Sequence, residues 1–413
     1  MQRLTHLLIA VLPGVFLLSG LPAAAQTWEQ VAKLISGSGG DSFGGSVAVS
    51  GDTAVIGAPG DDDLGSNAGA AYVFTRNGTG WVQQAKLFAN DGAAFDAFGV
   101  SVAVSGDTAV IGATGHDDLG SHSGSAYVFV RNGTSWVQQA KLLANDGSAF
   151  ASFGVSVAVS GDTAVIGASG TFLGSPPLGS AYVFVRNGTS WVQQAKLLAN
   201  DGVAGDQFGI LVAISDNTAV IGAEDGQLGS LAGSAYVFVR NGTNWAQQAK
   251  LLASDAVGGD LYGISVALSG DTAVIGANGD EDFGFGSGAA YVYVRNGTVW
   301  NQQAKLLAND GAQSDFFGAS VAVSGDTVMI GAELDIYPGG QGSAYVFVRS
   351  GTDWAQQAKL LADDGTAGSQ FGFSMALSGD TAVIGSAGAA YVFAPTISAV
   401  ISVILNLLLD DES

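Results

Sequence analysis

Few side chains in this sequence could do chemistry beyond ion pairing. Cysteine is absent, which removes disulfides, thiolate nucleophiles and cysteine-type zinc sites together. His6 falls in an apolar amino-terminal stretch. His116 and His122 share a loop with Asp117 and Asp118, donors that could hold a transition metal, although polar loop histidines are more often merely solvated, and no metal site is assigned on this basis. Every lysine follows alanine, so no Gly-Lys-Ser/Thr phosphate loop exists, and HExxH is absent. Acids gather at Asp61, Asp62 and Asp63, at Asp117 and Asp118, at Glu224 and Asp225, at Asp280, Glu281 and Asp282, and at Glu333 and Asp335. They read either as solvated loops or as a weak cation or basic-partner surface. No blade-specific acid pair or histidine–acid set stands out as a catalytic centre, so the expectation is a protein that is not an enzyme and has no cofactor.

The elements that must position these loops are repeated. All seven tryptophans keep one register, Trp28, Trp81, Trp136, Trp191, Trp245, Trp300 and Trp354. Between them runs one unit, which in its second copy holds Phe98–Ser105, Thr108–Ala113, Ser125–Arg131 and Trp136–Leu143. Four short β-branched or aromatic runs separated by Gly-Asp, a variable loop and Asn-Gly-Thr predict a four-stranded antiparallel meander, with strands named A to D. Asn-Gly is expected to form a type I′ hairpin, with Gly-Asp serving similarly. Strands A and B are apolar almost throughout and should lie innermost. Strand D alternates, placing Trp136, Gln138, Ala140 and Leu142 on one face, with its lysine guarding an outer edge. Arg131, at the end of strand C, should pair with Asp107 on the side away from the variable loops.

Units of this size and strand count stack radially into a propeller, a linear solenoid being the alternative. The phase of the repeat favours closure. It begins with a lone strand D, Trp28–Leu34, and ends with A, B and C, Phe371–Phe393, so that pairing Trp28–Leu34 with Ala390–Phe393 completes a seventh sheet. The predicted fold class is all-β, a seven-bladed β-propeller of four-stranded antiparallel blades. The organisation is a signal peptide over 1–25, a propeller over 26–394 and an apolar segment over 395–413. Arg3, the apolar run Leu7–Leu18 and Ala23-Ala24-Ala25 carry the export signal, and Ile397 to Leu409 is too short for a membrane span, which needs roughly 20 residues.

Phe43-Gly44 followed by Gly57-Ala58-Pro59 is the motif pair of the FG-GAP repeats, and residues 28–393 resemble that family. Phe-Gly recurs at Phe98, Phe153, Phe208, Phe317 and Phe371, with Tyr262-Gly263 as a variant. The resemblance implies the propeller of integrin α-subunit heads and of bacterial exported proteins. It also brings the family's calcium loops into question. Integrin-type blades carry an Asp-rich loop between strands A and B, whereas here that connection is only Ser50-Gly51-Asp52-Thr53 and its equivalents, too short to wrap an ion that takes six to eight oxygens. Those sites cannot be carried over, and calcium binding rests on other acids.

A formal charge of −22 opposes nucleic acid and anionic membranes as partners. The function expected is that of an exported, non-catalytic scaffold for binding or adhesion to an extracellular protein or polysaccharide through loops of one face. The locations open to it are secreted, periplasmic or cell surface. Candidate contact residues are Asp61, Asp62, Asp63, Asp117, Asp118, Phe172, Asp280, Asp282, Phe283 and Phe285, the phenylalanines being apolar exceptions among acids. A structural surface protein self-associating through Ile397 to Leu409 and a glycan-processing enzyme are the alternatives.

Overall fold

A computed structural model describes residues 26–37, 41–170, 179–224, 232–335 and 340–397. Among these residues every regular element is a β-strand, and the strands form seven four-stranded antiparallel sheets. Six sheets follow chain order, as in blade 2: A Val102–Ser105, B Thr108–Ala113, C Ser125–Asn132 and D Ser135–Leu142. The seventh joins the chain ends. Gln26–Leu34 lies antiparallel beside Ala389–Ile397, with Trp28 opposite Pro395 and Leu34 opposite Ala390. Strand C of blade 7 therefore runs to Ile397, beyond the expected boundary at 394. Pro395 stands where the other blades carry arginine. Those arginine N–H groups bond to the A–B turn rather than to strand D, as Arg131 N does to Asp107 O at 2.8 Å, so proline leaves the C–D ladder intact.

The ring is closed by the same contacts at every seam. The serine ending strand A accepts a hydrogen bond from the turn N–H of the next blade seven times over, from Gly106 N to Ser50 Oγ at 3.1 Å round to Gly51 N to Ser378 Oγ at 3.1 Å. A linear solenoid would leave the last of these unmade. The cores lie between blades. One cluster joins Val55, Val73 and Leu87 of blade 1 to Phe98, Tyr127 and Trp136 of blade 2, and an equivalent one joins Val383 and Val392 of blade 7 to Phe43, Tyr72 and Phe74 of blade 1. Strand B is fully buried in blade after blade, which explains its unbroken apolar run.

The named motif has a steric basis. Phe98 packs edge-on against Tyr127 and Phe129 at centroid distances of 5.5 and 6.0 Å. Gly99 follows with φ +93°, and a Cβ there would lie 2.3 Å from Ala70 O of blade 1. On the facing side, a Cβ on Gly57 would lie 1.9 Å from Gly99 O. Two backbones touch where the motif glycines meet, so neither position tolerates a side chain.

Two local expectations are corrected. In both hairpins φ is positive only at the first central residue, Gly106 at 56° and Gly133 at 64°, the type II′ pattern rather than I′; at the corresponding turn of blade 4 Asp216 takes φ 52°. Strand D does not alternate throughout. A bulge sets Phe129 opposite Gln138 but Val128 opposite Ala140, leaving Gln139 as the extra residue. Trp136 and Gln138 consequently face blade 1, whereas Gln139 faces blade 3 with Ala140 and Leu142: Trp136 Nε1 donates to Gln84, Asn90 N to Gln138, and Trp191 Nε1 to Gln139, at 2.8–2.9 Å. One extra residue lets a single strand bond to both neighbours.

Candidate binding face

An antiparallel meander puts the B–C and D–A loops on one face of the disc, and the A–B turns and C–D hairpins on the other. The second face is nearly uniform. Arg131 Nε donates to Asp107 at 2.6 Å and its guanidinium lies over the Trp136 ring, with counterparts at Arg186, Arg295 and Arg349. The expected arginine–aspartate pair is present there. Sequence variety is concentrated on the first face, where, among the described residues, the only lysines or arginines are the strand D lysines.

These lysines do not guard an edge, as the sequence suggested. Each pairs with loop aspartates at the seam, and Lys141, Lys305 and Lys359 bridge the D–A and B–C loops there. Lys305 Nζ reaches Asp255 of blade 4 at 2.7 Å and Asp280 and Asp282 of its own blade at 2.8 Å each, over the ring of Tyr291 at 5.4 Å. Lys86 meets Asp61 and Asp63, both at 2.6 Å. Burial opposes its charge, but hydrogen bonds with Asp61 and Asp63 outweigh that and hold Lys86 above its ordinary value. The bulge is what aims the lysine, since it shifts Lys141 to the face shared by Trp136.

Of the sequence candidates, Asp61 and Asp280 are buried to 2% and 4% exposure and serve the fold. Each accepts a hydrogen bond from the strand C tyrosine, Tyr72 or Tyr291, at 3.0 Å, so neither is open to a partner. Asp63, Asp118 and Asp282 are exposed and lysine-paired. Asp62 and Asp117 shape their loops by accepting Asn67 N and His122 N at 2.7 Å, while keeping an exposed carboxylate. Phe283 is no exception. It lies over Gly311 of the D–A loop as Leu64 lies over Gly92 and Leu119 over Gly147. Phe285 is the exception, 65% exposed where blades 1 and 2 have Ser66 and Ser121. Phe172, Asp225 and the segment Thr171–Pro177 lie outside the described residues.

The structure adds residues that the sequence reading passed over. Phe95 is 63% exposed with φ 72°, and Phe150 has φ 64°, at a position where other blades place Gly205, Gly259 and Gly368. A β-carbon in the left-handed region costs about 1–2 kcal/mol. Comparing repeats column by column would have exposed this, because an aromatic residue replaces a turn glycine. Phe95 borders a cleft of about 720 Å³ between blades 1 and 2, lined also by Asp91, Asp96, His116, Asp118 and His122. His116 is buried and His122 exposed, so the two histidines of this loop are separated in environment; His122 packs on Phe150 at 6.1 Å.

A closed seven-bladed propeller with one nearly uniform face and one loop-bearing face is compatible with a binding or scaffold role. The chain belongs to the FG-GAP repeat family: the family model matches residues 28–74, 81–129, 136–184, 191–238, 245–293, 300–347 and 354–393. Each match opens at the strand D tryptophan and ends at strand C of the next blade. Propellers of this family are generally non-catalytic binding scaffolds and typically extracellular or surface proteins. No curated protein matches the sequence significantly. Among solved structures, the crystal structure of Sqt1 from Saccharomyces cerevisiae is similar at a TM-score of 0.49 and 11% identity, covering 87% of this chain and 97% of that one. No helix among the described residues is long and apolar enough to cross a membrane.

Proposed function

We propose that this protein is an exported, non-catalytic scaffold that binds an extracellular protein or polysaccharide through the B–C and D–A loops of one face, centred on the cleft between blades 1 and 2. The observation that carries this reading is Phe95. A mostly solvated aromatic ring stands at a backbone position where three other blades use glycine, at the conformational cost of a β-carbon in the left-handed region. With Phe150 and Phe285 it supplies stacking surface on a face where carboxylates outnumber the lysines that pair with them. Such a face suits a ligand with cationic groups beside apolar or sugar-ring surfaces. The leader-like pattern over residues 1–25 and the family's habit support export.

The test is capture from cell-envelope extract by immobilised protein spanning 26–413, comparing the natural chain with a Phe95→Gly/Phe150→Gly variant. The natural chain should retain a defined protein or polysaccharide in a salt-sensitive manner, and the variant should retain less than a tenth as much. Relief of backbone strain should meanwhile leave the variant at least as stable, by about 1 kcal/mol per site. Equal capture by the two proteins would refute the reading. Hydrolysis of a captured glycan would return the enzyme alternative.

A further inference from the structure

Blade 2 departs from an arrangement that three of its siblings share. In blades 1, 5 and 6 a buried aspartate, Asp61, Asp280 or Asp335, accepts the tyrosine hydroxyl of strand C at 2.9–3.0 Å and pairs with the strand D lysine at 2.6–2.8 Å. Blade 2 has His116 at this position, 8% exposed. An imidazole cannot reproduce both interactions. One buried atom, His116 Nδ1, is left without a hydrogen bond, an uncommon condition for a polar group in an interior.

The atoms around His116 are metal ligands by type. Asp91 Oδ2 lies 3.7 Å from Nε2, Asp118 Oδ1 lies 3.6 Å from Nδ1, and Asp96 Oδ2 lies 3.9 Å from Nε2. One donor atom from each of Asp91, His116 and Asp118 can be chosen so that all three fall within 4.8 Å of one another. They come from two loops on different blades, each anchored by its own sheet. The ammonium of Lys141 sits among them, 2.7 Å from Asp91, 3.2 Å from His116 Nε2 and in contact with Asp118. One ammonium among three carboxylates leaves the cluster negative, and Lys141, 18% exposed, is the group that an incoming cation must displace.

We infer that the seam between blades 1 and 2 is a binding site for a divalent transition-metal ion, held by Asp91, His116 and Asp118 in exchange for the Lys141 ammonium. One imidazole nitrogen with two carboxylates suits borderline ions such as Zn²⁺ or Co²⁺ rather than calcium, whose sites are built of oxygen. The sibling seams keep an aspartate and a lysine and lack the nitrogen, so the site is single. It does not depend on any partner bound by the loop face.

Titration of the whole chain with Co²⁺, followed by visible absorption and calorimetry, tests this. One equivalent should bind. Lys141→Met, which removes the competing charge, should tighten binding at least tenfold, and His116→Ala should weaken it at least tenfold, while His122→Ala changes nothing. His116→Asp restores the arrangement of the sibling blades, so it should fold normally and lose the nitrogen-ligand absorption. If Lys141→Met binds no Co²⁺, or if His116→Asp binds with the spectrum and affinity of the natural chain, the site does not exist.

Discussion

Replacing Gly99 by alanine tests the steric account of the blade seam, with Gly106→Ala as its internal control. Both glycines have positive φ, 93° and 56°, so both substitutions carry the left-handed penalty of about 1–2 kcal/mol. They differ in what the new methyl meets. At Gly106 there is nothing within 4 Å, whereas at Gly99 the Cβ lies 2.3 Å from Ala70 O and 3.1 Å from Ala58 N. The first distance is roughly 1 Å short of an ordinary carbon–oxygen contact. Both neighbours are backbone atoms of blade 1, so the whole seam must open to admit the methyl. Overpacking of this kind adds about 1–3 kcal/mol, which brings Gly99→Ala to about 2–5 kcal/mol against about 1–2 for Gly106→Ala. Denaturant unfolding followed by tryptophan fluorescence reads the difference directly, because each seam carries a tryptophan. Equal losses in the two variants would mean that the motif glycine serves the backbone angle alone and that contact between blades is not what requires it.

The seam between blades 7 and 1 lacks one bond found at the other six. Val31 occupies the place of Gln139 and offers no acceptor to Trp81, so Val31→Gln should stabilise the ring by about 0.5–1.5 kcal/mol, seen as a raised unfolding midpoint. Removing residues 26–35 takes away strand D of blade 7, including buried Leu34. Unfolding of the remainder should stay a single transition and shift far down in denaturant; a small shift confined to one blade would contradict ring closure. Hydrogen bonds from Lys196, Lys250 and Lys33 hold Asp146, Asp201 and Asp364 below the ordinary carboxylate value. Their contribution is therefore present above the unfolded value of about 3.9 and is lost as pH falls through the lower folded values. Burial raises Asp260 and Asp315, which instead favour the fold at low pH and lose that contribution as pH rises through their folded values. Lys196→Met should cost less than about 1 kcal/mol at pH 7, the pair being partly exposed, and the gap to the natural chain should narrow in thermal melts as pH falls below the unfolded value of about 3.9.

The loop face shows where local reasoning lost its grip. Lys141 follows alanine in an alternating strand, and pattern alone makes it an edge charge; its place at the seam depends on the bulge at Gln139, which appears only when strands C and D are paired. Asp61 and Asp62 are neighbours of one type, yet one is buried under Tyr72 and the other is exposed. Nothing in their order distinguishes them. Likewise His116 and His122 look like a pair until the loop folds and sends one inward. Phe95 was legible in principle, since the column that holds glycine in three other blades holds an aromatic residue here.

What the chain determined unaided was the strands, the places of their turns, the number of blades and the pairing of the two ends. Those follow from nearest-neighbour chemistry, β-branched runs interrupted by glycine at a fixed interval, and repetition makes each signal seven times stronger. Tertiary structure decided which carboxylates face solvent, where the lysines point and which atoms in blade 2 lack partners. Each of these depends on side chains from two blades meeting at a seam, about 50 residues apart in sequence, and burial and charge balance are properties of the meeting rather than of either segment.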